Sequence, residues 1–318
     1  MNGRKYGPML RLIAFSSLLL TSTGIAAPVS MPKLPDITPV ELEPIGKFGP
    51  GASIENSGIV RSRSRDDLFW TINDSGDAPK VYPVLSDGSL WGSVRYSDDP
   101  GVLIGGAINV DWEDIAVDDL GNLIVCDVGN NRNDRRDLTL YYLPEPSPLA
   151  GRTTFQKKVF LKYPDQVLYP ADQSDFNYDC EGVFCVRDKV YLVSKNRSDT
   201  LGKLYRLDTV DSHETNTLTY VDAFDFGGKT TAADASIDGR RLAVTTYDAL
   251  WVFEIDGATD MYFRGKIYWM PFLATQVEAV CFDGRDTILL ADEADAEIYK
   301  VDFEDLVRVD QLEFAPID

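Results

Sequence analysis

The side chains able to do chemistry recur at a fixed interval. Glu113 and Asp127, Glu181 and Lys195, Asp234 and Asp248, and Glu278 and Asp292 are each fourteen positions apart. The first member stands at the start of one short apolar run and the second at or just past the end of another. Turn residues such as Asp238-Gly239 and Asp283-Gly284 lie between the runs. Paired apolar runs around Asp-Gly are the mark of a β-hairpin. A residue before the first strand and one after the second lie at the same end of a hairpin, so both members of each pair share one end. Ser57, with Asn73 and Asp74 after Leu68–Ile72, is a fifth copy with a longer turn. If the first strands surround an axis, Ser57, Glu113, Glu181, Asp234 and Glu278 make a ring of oxygens, four of them anionic. Carboxylates crowded in a partly dry channel repel unless they are compensated. A hard cation is one compensation, and an all-oxygen ring suits Ca²⁺ better than Zn²⁺. Ion pairs with Arg61, Arg63, Lys195 or Arg197 are the other.

The loops at the same end are polar and glycine-bearing: Asn73-Asp-Ser-Gly-Asp77, Asp127 to Arg136, Ser194 to Ser198 and Asp292 to Asp295. Loops of this kind carry function on a rigid scaffold. Asn73, Asp74, Asp127, Asn130, Arg132, Lys195, Asp248 and Asp292 are therefore the expected contacts for a small or polymeric ligand at an acidic channel mouth. The 127–136 loop lacks the D-x-D-x-D-G spacing of a calcium hand. Arg132, Arg135, Arg136, Lys195 and Arg197 form a basic cluster able to meet an anionic group on that ligand or to pair with the neighbouring acids.

Other chemistry is excluded or unassigned. His213 is the single histidine, which removes every two-histidine zinc site. No G-x-S-x-G elbow is present, and His213 falls in a polar loop, so a serine triad is not expected. Catalytic residues stay unassigned. A metal-activated water or a carboxylate pair is the remaining route to hydrolysis.

Each hairpin is followed by a third strand (80–85, 138–143, 203–207, 250–255 and 297–301). A fourth is expected at 89–96, 154–163, 217–226 and 264–270. Four antiparallel strands repeated around a ring make an all-β fold, a single β-propeller. Residues 39–318 hold five blades, or six if one hides in 144–179, and residues 39–48 close the ring as the outer strand of the last blade. Period-two alternation puts Glu181, Val183 and Cys185 on one face, with Cys180, Gly182 and Phe184 opposite. It likewise groups Glu278 with Val280, and Ala279 with Cys281. Residues 1–26 combine Arg4, Lys5 and Arg11 with an apolar stretch and small residues at Gly24-Ile-Ala26, the pattern of a signal peptide. Proline-bearing residues 27–38 follow as a linker. An exported protein is expected, periplasmic or extracellular, monomeric and without a membrane span. The 51 acidic against 31 basic residues, a net charge of −20, exclude a general nucleic-acid binder. Four cysteines allow three full pairings. Cys126 and Cys180, each directly before a mouth residue, are the expected disulfide, with Cys185 and Cys281 free.

The stretches Glu55-Asn-Ser-Gly-Ile, Trp70-Thr-Ile-Asn-Asp-Ser-Gly-Asp77, Asn109-Val-Asp-Trp-Glu-Asp-Ile-Ala116, Asp127-Val-Gly-Asn-Asn131, Asp179-Cys-Glu181 and Gln276-Val-Glu-Ala-Val280 resemble a family of exported bacterial, WD40-like propellers of unassigned function. That resemblance implies the fold. Ser57, Glu113, Glu181 and Glu278 also resemble, by place in the repeat, the central calcium ligands of calcium-activated nucleotidases (apyrases), which are five-bladed. Asp234 stands at a serine-like position of that scheme. This likeness implies a Ca²⁺-dependent hydrolase of nucleotides, phosphate esters or lactones as the alternative to a non-catalytic binding protein. The lactonase and gluconolactonase propellers are a more distant likeness.

Overall fold

The computed structural model describes residues 26–310. The expected signal peptide lies outside them except for Ala26. Five antiparallel-based sheets stand around one axis, with no sixth blade among the described residues. Their innermost strands are Asn56–Arg61, Trp112–Val117, Asp179–Val186, Thr230–Ala235 and Val277–Phe282, defining blades I to V in that order. Each packs against the innermost strand of the next blade, and that of blade V packs against blade I, closing the ring. The apolar side chains accordingly sort into five clusters, one at each blade–blade interface. Blades are held to one another by burial rather than by a continuous sheet, so each strand needs apolar residues on both faces. Small residues make this possible at the axis. A Cβ on Gly182 would stand 2.6 Å from the Ala233 backbone nitrogen of the next blade.

The hairpins and third strands fall where the spacing places them. The fourth strands Lys157–Lys162, Thr219–Asp225 and Lys266–Leu273 do so too. Blade I differs: Gly92–Tyr96 is a short 3₁₀ helix, and the fourth strand is Val102–Gly105. Residues 144–179, where a sixth blade was an alternative, instead supply Arg152–Thr154, which pairs in parallel with that fourth strand. They also supply the outer strand Lys157–Lys162 of blade II. The chain closes as expected, Pro44–Lys47 pairing with Glu297–Asp302 of blade V, while Val40–Glu41 pairs in parallel with Phe272 and Leu273 of blade IV. The stretch read as a linker is docked on the ring: the Val29 amide donates to the Ala223 carbonyl at 2.8 Å, and Val29 accepts from the Asp225 amide at 2.9 Å.

All four cysteines are free and buried, which corrects the Cys126–Cys180 disulfide. Both thiols lie in the same apolar cluster with Cys185, and their Sγ atoms donate to the carbonyls of Ile124 and Gly182. Among the described residues no helix is long and apolar enough to cross a membrane.

Candidate functional site

Every innermost strand carries one extra residue near its leading end. The register slips between Asn56 and Gly58, Trp112 and Asp114, Cys180 and Gly182, Thr230 and Ala232, and Val277 and Ala279. The bulged residues are Ser57, Glu113, Glu181, Thr231 and Glu278. A bulge breaks the two-residue alternation, so its side chain turns to the axis while the residues on either side return to the blade interfaces. Val277 and Val280 therefore share one cluster, and Cys180, Val183 and Cys185 share another. Uninterrupted alternation would have separated Val277 from Val280 and Cys180 from Val183. The expected grouping of Glu181 with Val183 and of Glu278 with Val280 is therefore corrected, while Val183 with Cys185 and Ala279 with Cys281 hold.

Ser57, Glu113, Glu181 and Glu278 converge at one mouth. Asp234 does not. Thr231 takes the blade IV position, its hydroxyl 3.0 Å from that of Thr245, and Asp234 lies three residues on, toward the opposite end. There its carboxylate accepts from the Phe282 amide of blade V at 2.8 Å. The fourteen-residue interval holds for Asp234 and Asp248 only as sequence. Asp248 is exposed and accepts from the Thr246 hydroxyl at 2.8 Å.

Acids that the interval did not single out complete the mouth. One oxygen each from Asp74, Asp111 and Glu113 lie within 4.8 Å of one another, as do those of Glu113, Asp179 and Glu181. Asp111 and Asp179 precede the bulged glutamates by two residues, in Asp111-Trp-Glu113 and Asp179-Cys-Glu181. This shared acid-x-Glu pattern was the legible signal for both. The loop after Asp127 makes room for them, because a Cβ on Gly129 would stand 2.2 Å from Glu113 Oε1 and 2.5 Å from Asp111 Oδ2.

Compensation is uneven around the ring. Lys195 Nζ is 3.1 Å from Glu181 and 3.8 Å from Glu278. It lies 5.4 Å from the centre of the Tyr247 ring. Arg197 pairs with Asp179 and stands 4.0 Å from Glu181. Arg135 pairs with Asp127 at 2.9 Å. Glu278 also accepts from the Tyr247 hydroxyl at 2.9 Å and from Gln276 at 3.2 Å. Glu113 has no basic partner among the described residues. It is 4 % exposed, and the Ser57 hydroxyl, 3.3 Å from Oε2, is the donor in reach. Burial, reinforced by the charges of Glu181, Asp74, Asp179 and Asp111, pushes its carboxyl well above the usual range. Burial followed by Asp179 raises Glu181 despite Lys195. Burial raises Asp74 to about 6, and burial with Glu278 raises Glu293 to about 8. Lys195 is pushed up because Glu181 and Glu278 outweigh its burial.

Several expected ligand contacts hydrogen-bond within the scaffold. Asp292 accepts from the amides of Thr275, Gln276 and Asp295, and Asp127 accepts from the Asp111 amide at 3.1 Å. Each ties down the loop leading into its own hairpin. The Asn130 side chain donates to the Tyr178 carbonyl at 2.8 Å and accepts from the amides of Asp134 and Arg135. Asn73 donates to the Gly51 carbonyl and to Asp77. Arg132 is exposed, and Arg135 rather than Arg132 reaches the acids. Asp74 and Lys195 stand in the cluster.

No protein-family model matches the chain, and no curated protein matches it. Among solved structures, it is similar to the PQQ-bound aldose sugar dehydrogenase of Streptomyces coelicolor at 12% identity and a TM-score of 0.45. That match covers 87% of this chain and 99% of the other. It is similar to an inactive virginiamycin B lyase of Staphylococcus aureus with quinupristin at 15% identity and a TM-score of 0.41, covering 79% and 67%. The five sheets, each packed on the next and the last on the first, make the chain a five-bladed β-propeller.

Proposed function

We propose that this chain is an exported propeller that binds a divalent cation at its acidic mouth and a small or polymeric ligand over it. Glu113 is the observation that carries the reading: a buried carboxylate among four further acids, with no basic side chain among the described residues to neutralise it. Removing charges from water is costly unless they are paired. The donors present are carboxylates and a hydroxyl, from Asp74, Asp111, Glu113 and Ser57, with Asp179 and Glu181 adjoining. This hard-oxygen set fits Ca²⁺ and lacks the imidazole or thiolate that zinc selects. The Gly129 cradle keeps side-chain atoms out of the space between Asp111 and Glu113. Elemental analysis of the purified protein and melting with Ca²⁺ against chelator test it. One bound calcium per chain and a higher Tm with Ca²⁺ are expected. Equal Tm values would overturn the reading.

One observation favours a second reading, a Ca²⁺-dependent hydrolase of nucleotides, phosphate esters or lactones. Glu293, half-buried beside Glu278, keeps its proton up to about pH 8, the state a general acid needs at neutral pH. Calcium-dependent hydrolysis of any of these substrates that falls at least 100-fold in Glu293→Gln would establish it. No turnover across the panel would leave binding as the activity.

A further inference from the structure

The opposite end of the axis holds a cavity of about 170 Å³, between the trailing ends of the innermost strands. Val60, Val117, Ile237 and Phe282 give it apolar walls, and Arg61, Arg63, Asp66 and Asp234 supply charge. The two arginines differ. Arg61 is engaged, its Nε 3.1 Å from Asp283 and its terminal nitrogen donating to the Asp66 carbonyl at 3.0 Å. Arg63 makes no hydrogen bond or ion pair among the described residues, and the Nε atoms of both arginines are buried without a hydrogen bond of their own. Asp234 attracts Arg63 across the cavity without coming within ion-pair distance of it. One Asp234 oxygen accepts from the Phe282 amide, and the side chain remains partly accessible.

We propose that this cavity binds a small carboxylic acid carrying a hydrogen-bond donor beside the carboxylate, an α-hydroxy or α-amino acid with a short apolar side chain. The planar fork of Arg63 matches a carboxylate in two-point contact. Asp234, an acceptor, takes the adjacent hydroxyl or ammonium. The four apolar residues receive the side chain, and the volume suits a molecule of this size rather than a polymer. The site shares no residue with the acidic mouth and stands whether or not that mouth holds a cation.

Isothermal titration with L-lactate, L-alanine, propionate and inorganic phosphate tests the proposal on the full chain. Wild type, Arg63→Gln, Asp234→Asn and Glu113→Gln are compared, with each variant's melting curve confirming its fold. L-Lactate or L-alanine should bind wild type and Glu113→Gln with equal affinity, and whichever binds identifies the donor. Propionate, which lacks that donor, should bind about tenfold more weakly or worse. Arg63→Gln should abolish binding. Asp234→Asn should reduce the preference over propionate, most strongly for L-alanine, whose ammonium loses a charged partner. Failure of both acids to bind wild type, undiminished binding to Arg63→Gln, or a preference for phosphate would overturn it.

Discussion

At the leading ends of the five innermost strands, bulges aim Ser57, Glu113, Glu181, Thr231 and Glu278 at the axis, and further acids crowd in from the loops. At the trailing ends pairing is regular, apolar side chains line the opening, and Arg61, Arg63, Asp66 and Asp234 bring charge to it. The same strands thus build both mouths, and backbone register makes them different. A bulge releases one side chain per strand from the alternation that sends its neighbours into the blade interfaces, so polar groups gather there without disturbing the five apolar clusters. Where alternation is intact, an acid survives only by capping a neighbour, as Asp234 does for the Phe282 amide. Acid clustering has opposite consequences at the two ends: at the leading mouth it exceeds what the protein's own cations neutralise, and at the trailing mouth it does not.

The largest test of that contrast is Lys195→Met. It strips the internal cation from Glu181 and Glu278, and breaking a buried pair by removing one partner costs about 3–5 kcal/mol. Denaturant unfolding in chelator should show that loss, with Ca²⁺ restoring more stability to the variant than it adds to wild type. A loss below about 1 kcal/mol would mean that the leading mouth is solvated rather than charge-crowded.

Glu113→Gln should remove the calcium response. Wild type at a hundredfold excess of Ca²⁺ over its Kd gains about 2.7 kcal/mol by mass action. The variant should gain little from Ca²⁺ and unfold in chelator no earlier than wild type.

A graded effect follows from pH. Asp74 and Glu293 hold their protons more tightly folded than unfolded, so their contribution to stability is complete below about 4 and is lost as pH rises. The loss runs to about 6 for Asp74 and about 8 for Glu293. Chelated protein should therefore melt progressively lower from pH 4 to 8, and saturating Ca²⁺ should flatten the profile. A chelated profile that rises over this window would contradict the charge crowding.

The smallest effect belongs to the trailing mouth. Asp234→Asn keeps an oxygen to accept from the Phe282 amide, so it should change stability by less than about 1 kcal/mol and leave the calcium response intact. A calcium response altered by this variant would couple the two ends and break the contrast between them.

The recurring Asp-Gly turns, the apolar runs and the copy number made the hairpins, the five blades and the closing strand legible from the sequence, because a hairpin is written in contiguous residues. Glu113, Glu181 and Glu278 could be placed at one mouth for the same reason. Tertiary structure decided the rest. Asp234 shares the fourteen-residue interval but belongs to the other end, since strand pairing in blade IV sets its bulge at Thr231, a choice made by neighbouring strands. Asp179 meets Glu113, and Arg135 rather than Arg132 meets Asp127, through loop geometry that spacing along the chain does not encode. Cys126 and Cys180 share an interface yet remain thiols, their Sγ atoms donating to the carbonyls of Ile124 and Gly182. Local pattern determines which side chains alternate; only packing between blades determines where the alternation is broken, and the candidate site is made of the residues at those breaks.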